Sequence, residues 1–204
     1  MHQSSGFASS ELILYPLLFG GGSVLILLFV KRFFLNEKLN DFNSGEGTFV
    51  KDVGMGFILV TIYFILFFLE RQFLTGVLTI RSNTELLDLM LSMRAQPILL
   101  FLWFGPVLWI GIALYEELIR VFMLTELWKF SNDKIWIFIV IVISAALMGV
   151  VHYSQGSYGM VTIGIKSLVS GFFFLKYRRL FPLIIAHVLY DGLQVGMLLL
   201  MYPS

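Results

Sequence analysis

The chain of 204 residues is 58% hydrophobic and only 13% charged, with a mean hydropathy of +0.89, whereas a soluble domain carries about 25% charged residues; it cannot cover a water-exposed surface. A net charge of +1 offers no basic face to displace counterions from phosphates, which argues against nucleic acid as a partner. Having no cysteine, the chain has no disulfide, no thiolate zinc site and no cysteine nucleophile.

In chain order, Met1–Ser10 lacks a basic leader region, so Glu11–Val30 reads as a first span and not as a cleaved signal. Apolar runs of spanning length follow: Leu12–Val30, Val53–Leu69, Pro97–Leu127, Ile135–Tyr153, Tyr158–Leu175 and Leu183–Tyr202. The third is long enough to be tilted, bent at Pro106 or split. Glu85–Arg94 sets Leu86, Leu87, Leu89 and Met90 against Glu85, Asp88 and Arg94 at helical spacing, and is too short to span; it predicts a helix on the membrane surface. Asn43–Gly47 reads as a loop. The fold expected is all-α, a polytopic transmembrane bundle of about six spans plus a short interfacial helix, in one integral membrane domain over residues 1–204.

Orientation follows from the basic residues. Placing Lys31, Arg32, Lys38, Lys51, Lys129, Lys134, Lys176, Arg178 and Arg179 on the cytoplasmic side leaves Arg71, Arg81 and Arg94 on the other, nine against three, with both termini outside. Arg120 and Lys166 complete the fourteen and lie within spans.

Glu116, Glu117, Arg120, Lys166, His187 and Asp191 thus fall in or beside apolar runs. At about 2.5–3.5 kcal/mol for each central charge, their insertion costs roughly 10 kcal/mol or more, comparable with a whole folding stability of about 5–15 kcal/mol. Such a set is either functional or a pairing device that holds helices together. Lys166, alone at mid-span, fits pairing with a carboxylate better than chemistry. Of the three histidines, His2 is in the N-terminal tail, while His152 and His187 are in apolar spans. His187 and Asp191 share a helix face, so the carboxylate can hold the imidazole in one tautomer. Glu116 and Arg120 are also one turn apart, placing the guanidinium to offset or position the glutamate.

Three segments, Glu116-Glu117-Leu-Ile-Arg120, Met148-Gly-Val-Val-His152 and His187-Val-Leu-Tyr-Asp191, resemble in order and spacing the motifs of the CAAX prenyl protease and bacteriocin-processing (CPBP) family. The resemblance covers residues 97–191, the expected family core. Two departures stand out: two residues in place of the usual three separate Glu117 from Arg120, and Met148 replaces an aromatic. The resemblance implies an intramembrane endopeptidase in contact with membrane lipid, acting on hydrophobic or lipidated substrates, prenylated ones included, or in bacteriocin processing or immunity. It also implies the plasma membrane of a bacterium as the location. By the same resemblance, Glu116 with His152 activates water and His187 with Asp191 stabilises or protonates the tetrahedral intermediate, with Glu117 and Arg120 completing the catalytic set. The alternative is zinc held by His152, His187 and Glu116. An inactive family member serving as membrane partner or immunity factor, and a transporter or proton relay, are the competing functions. One difficulty accompanies the site: with straight spans His152 and His187 differ in depth by well over about 10 Å, which strong tilt or a break around Gly149–Gly159 would reconcile.

Overall fold

The computed structural model describes residues 10–81 and 84–202, with only the backbone of Glu85; the reading of Met1–Ser9 and of His2 lies outside the described residues. Apolar segments in hydrocarbon must satisfy every backbone group internally, and helices do so. Six of them are long and apolar enough to cross a membrane: α1 (Glu11–Phe34), α2 (Phe49–Leu74), α4 (Pro97–Trp128), α5 (Lys134–Val151), α6 (Gly156–Tyr177) and α7 (Phe181–Met201). No strand occurs among the described residues, and the chain is an integral, multi-pass membrane protein of the expected all-α class. The short α3 (Thr84–Ser92) lies where the charge alternation predicts a helix, and a 3-10 turn, Met93–Ala95, continues it.

Two spans are not regular. In α1, Pro16 sits inside the helix and a π-helical stretch, Leu17–Gly21, follows it directly; proline removes a hydrogen-bond donor, and a wider turn absorbs the mismatch. Here α1 crosses α4: a Cβ on Gly20 would collide with the backbone of Gly111, and one on Gly111 with the backbone of Pro16. In α4 the helix breaks at Gly105, whose ψ of −112° is non-helical and which precedes Pro106, then runs as a π-helix to Leu114 before regular helix resumes at Tyr115. The bend is thus at the proline the sequence marks, because the residue before proline is driven out of the α region.

The connections gather at two opposite ends. At the first, Lys31 is buried between Glu37 at 2.6 Å, Asp41 at 3.6 Å and Glu126 at 3.8 Å, with its ammonium 4.9 Å from the Phe42 ring. Lys129 pairs with Glu37 and with Glu126. Asp52, 1% exposed, is bound by the guanidinium of Arg179, which also donates to the carbonyls of Gly45 and Asn43. This ties the loop after α1 to the start of α7, with Gly45 N–H donating to the Arg178 carbonyl and Leu180 N–H to that of Phe42. At the other end Arg81 N–H donates to the Gln155 carbonyl and Tyr158 N–H to that of Thr79. Arg94 reaches the carbonyl of Tyr202 there.

Removing one member of a buried ion pair leaves the other uncompensated, at about 3–5 kcal/mol, whereas removing both is often neutral. Arg179→Ala should therefore lower the melting temperature in detergent sharply, and Asp52→Asn combined with Arg179→Met should recover most of the loss.

The Lys129 and Lys31 ammonium groups beside Glu37 hold its carboxyl below the usual carboxylate range. A depressed folded value stabilises the fold above the ordinary carboxylate range and loses that contribution as pH falls through the lower folded value. Melting curves from neutral to acid pH should show a decline that Glu37→Gln makes shallower.

Candidate active site

Glu116 and Glu117 stand in the first turn of regular helix after the π-helical stretch of α4. Adjacent helical residues point about 100° apart, so the two carboxylates face different partners. Glu116 Oε1 lies 3.8 Å from His152 Nε2, and both side chains are one-fifth exposed. Glu117 is buried, and its Oε1 lies 2.8 Å from His187 Nδ1. Arg120 donates to Glu117 and, through its other terminal nitrogen, to Ser167 Oγ on α6 at 3.2 Å.

The pairing expected of Arg120 with Glu116 is corrected here. With two residues between Glu117 and Arg120, the pair sits three positions apart on the helix, within ion-pair reach, while Glu116 is turned to the histidine of another helix. The shortened motif thus still places a guanidinium on a motif glutamate, and it is the second one.

His152 ends α5. Its φ of −95° and ψ of 21° leave the helical region, and its Nδ1 lies 2.8 Å from the Met148 carbonyl. A carbonyl only accepts, so Nδ1 carries the proton and Nε2 faces Glu116 with its lone pair when the ring is neutral. The ring is thereby oriented by the backbone of residue 148, on which the exchange of an aromatic side chain for Met148 has no direct bearing. A 3-10 turn, Tyr153–Gln155, and Gly156 at φ +81° then fold the chain back into α6. The chain does break within Gly149–Gly159, and the adjacent glutamates of α4 take one histidine each, Glu116 facing His152 and Glu117 facing His187.

His187 and Asp191 share one face of α7 as their spacing predicts, with Nε2 3.2 Å from Asp191 Oδ2. The imidazole is therefore held between two carboxylates, Glu117 and Asp191. Carboxylates accept when ionised, so the group retains a proton either as a doubly protonated ring or on one carboxyl.

Lys166 pairs with Glu70 at 2.5 Å, as expected of a lone mid-span lysine, and its ammonium lies 5.5 Å from the Tyr190 ring. Glu70 escapes the sequence reading because it is one residue beyond the apolar run Val53–Leu69. Tyr63, bonded to Ser170 at 2.5 Å, and Ser167 escape it as well; a lone hydroxyl in an apolar span carries no signal. All these groups line one cavity of about 740 Å³, with Leu86, Leu87 and Met90 of α3 along its wall.

The proposed zinc ligands His152, His187 and Glu116 do not gather as a metal site in this arrangement. Both ring nitrogens of His187 face carboxylates, and no group of three His, Cys, Asp or Glu donors that could hold a metal ion occurs among the described residues.

Gly156 holds a φ of +81° and a ψ of 179°, a region open to glycine alone at a cost of about 1–3 kcal/mol to other residues. A Cβ there would also meet the carbonyl of Thr79. Gly156→Ala should lower the thermal stability of the purified protein by about that amount.

Compared with known proteins, the chain matches none of the curated proteins and none of the solved structures. One family model matches over the segment that supplies Glu116, Glu117, Arg120, His152, His187 and Asp191: residues 98–193 are similar to the Rce1-like family, the type II CAAX prenyl endopeptidases.

Proposed function

We propose that this protein is an intramembrane endopeptidase that cleaves hydrophobic or lipidated peptides with a glutamate-activated water. The observation that carries the reading is the pair Glu116 and His152. The two acceptors, a carboxylate and an imidazole lone pair, lie 3.8 Å apart on the wall of one cavity within the membrane. That separation is too long for a direct hydrogen bond and suits a bridging water, which donates one hydrogen to each group. Glu116 then takes the proton as the water oxygen attacks the scissile carbonyl.

Glu117 differs from its neighbour. Buried and bound by Arg120 and His187, it positions the imidazole and supplies a fixed negative charge. As negative charge develops on the carbonyl oxygen, His187 can exchange its longer contact, the one to Asp191, for a hydrogen bond to the oxyanion, with Glu117 still holding the other nitrogen. Asp191 orients the ring and receives it back after the intermediate collapses. The cavity volume of about 740 Å³ accommodates a short peptide segment.

Cleavage of a hydrophobic and lipidated peptide library by the purified protein in liposomes tests the reading. Glu116→Gln and His152→Ala should each reduce the rate by about 10²–10⁴-fold, the usual worth of a positioned acid or base, with unchanged melting temperature and no response to a chelator. Loss of activity on chelation would assign the water to a metal. Absence of cleavage by folded wild-type protein would remove the peptidase reading.

A further inference from the structure

The cavity has a direction. Its wall includes Ile80 and Arg81 from the segment after α2, Leu87 and Met90 from α3, and Ser154 and Gln155 from the turn between α5 and α6. All belong to the end of the bundle where Arg81 pairs with Gln155 and Tyr158 with Thr79. None of the lining residues comes from the opposite end, where the loop after α1, Lys129 and Arg178–Leu180 are bonded together.

The two ends differ in basic residues. The closed end carries Lys31, Arg32, Lys38, Lys51, Lys129, Lys134, Lys176, Arg178 and Arg179; the end with the cavity mouth carries Arg71, Arg81 and Arg94. Short connections rich in Lys and Arg stay in the cytoplasm, and the rule counts basic residues whether or not acidic ones neutralise them. The inward pairing of Lys31, Lys129 and Arg179 therefore does not weaken the assignment.

We infer that the cavity opens to the side of the membrane away from the cytoplasm, and that the substrate is a peptide segment exposed on that side, the tail of a secreted or membrane-anchored protein. A lipidated tail on a cytoplasmic protein would meet the closed end. The substrate rests on the peptidase reading, whereas the direction of the mouth rests on the fold together with the distribution of basic residues.

The chain contains no cysteine, so single cysteines report accessibility without any background removal. Val77→Cys marks the mouth end and Phe130→Cys the closed end, at positions 79% and 78% exposed; Leu87→Cys and Ser154→Cys mark the cavity wall. Each full-length variant is treated with a membrane-impermeant maleimide in right-side-out vesicles, before and after permeabilisation. Labelling at 77, 87 and 154 before permeabilisation, and at 130 only after it, is the expected result. The reverse pattern would place the mouth in the cytoplasm and overturn the inference. So would labelling at 77 from outside with both 87 and 154 unreactive under either condition, since the cavity would then not open at that end. Labelling needs no turnover, so failure of the orientation and failure of the peptidase reading are separately visible.

Discussion

A carboxylate buried among apolar helices has to be met by a positive charge or by hydrogen-bond donors, and Glu117 is where the bundle meets that requirement. Arg120 answers it from one turn further along the same helix, and His187 answers it from α7. Arg120 in turn bonds Ser167, which brings in α6. Three spans are thereby held in register by one carboxylate. Charge pairs of this kind contribute little net stability compared with apolar packing, because both partners are taken out of water. Their effect is to make other helix arrangements costly, since any slippage strands an ion in hydrocarbon. The Lys166–Glu70 pair does the same between α6 and α2.

With those charges committed, the polar groups less constrained within the cavity are Glu116, the Nε2 of His152 and the more exposed Asp191. The helix irregularities put them there. A straight α4 would carry Glu116 on whatever face the spacing from Pro97 dictated; the break at Gly105 and the π-helical turns up to Leu114 reset that phase. His152 follows directly on the last helical residue of α5, Val151, and the glycine turn at 156 then sends the chain back into α6. Irregular backbone is tolerated at this depth because it borders a cavity and is paired, through Arg81 with Gln155 and Tyr158 with Thr79, and is not left to lipid.

The two ends are built by different means. The closed end is an ionic assembly in which Lys31, Asp52, Glu37 and Arg179 each have a partner. The end with the mouth is held by backbone pairing and by the apolar side of α3, whose Leu87 and Met90 border the cavity. Salt screens exposed pairs strongly and buried ones little, so Lys31 and Asp52, both fully buried, anchor the closed end irrespective of ionic strength.

Composition and the length of the apolar runs alone determined that this is a helical membrane protein of about six spans, because runs of about 20 apolar residues fit a helix across the hydrocarbon whereas a barrel strand needs only about 10, and six such helices occur among the described residues. The spacing of His187 and Asp191 was equally legible, since residues four apart share a helix face whatever surrounds the helix. Pro106 and the glycines around His152 marked where the helices would bend or break. What the sequence left open was settled by contacts between distant segments. The motif resemblance singled out Glu116 as the partner of His152 but not the surroundings of Glu117; those follow from His187 on another helix and from Arg120, which hold it in a buried ion network while Glu116 faces His152. The partner of Arg120 depended on that division, as one guanidinium one turn away can reach either carboxylate. Glu70 and Tyr63 were hidden for the same reason: a polar residue at the edge or in the middle of an apolar run has no meaning until the helix opposite supplies Lys166 or Ser170.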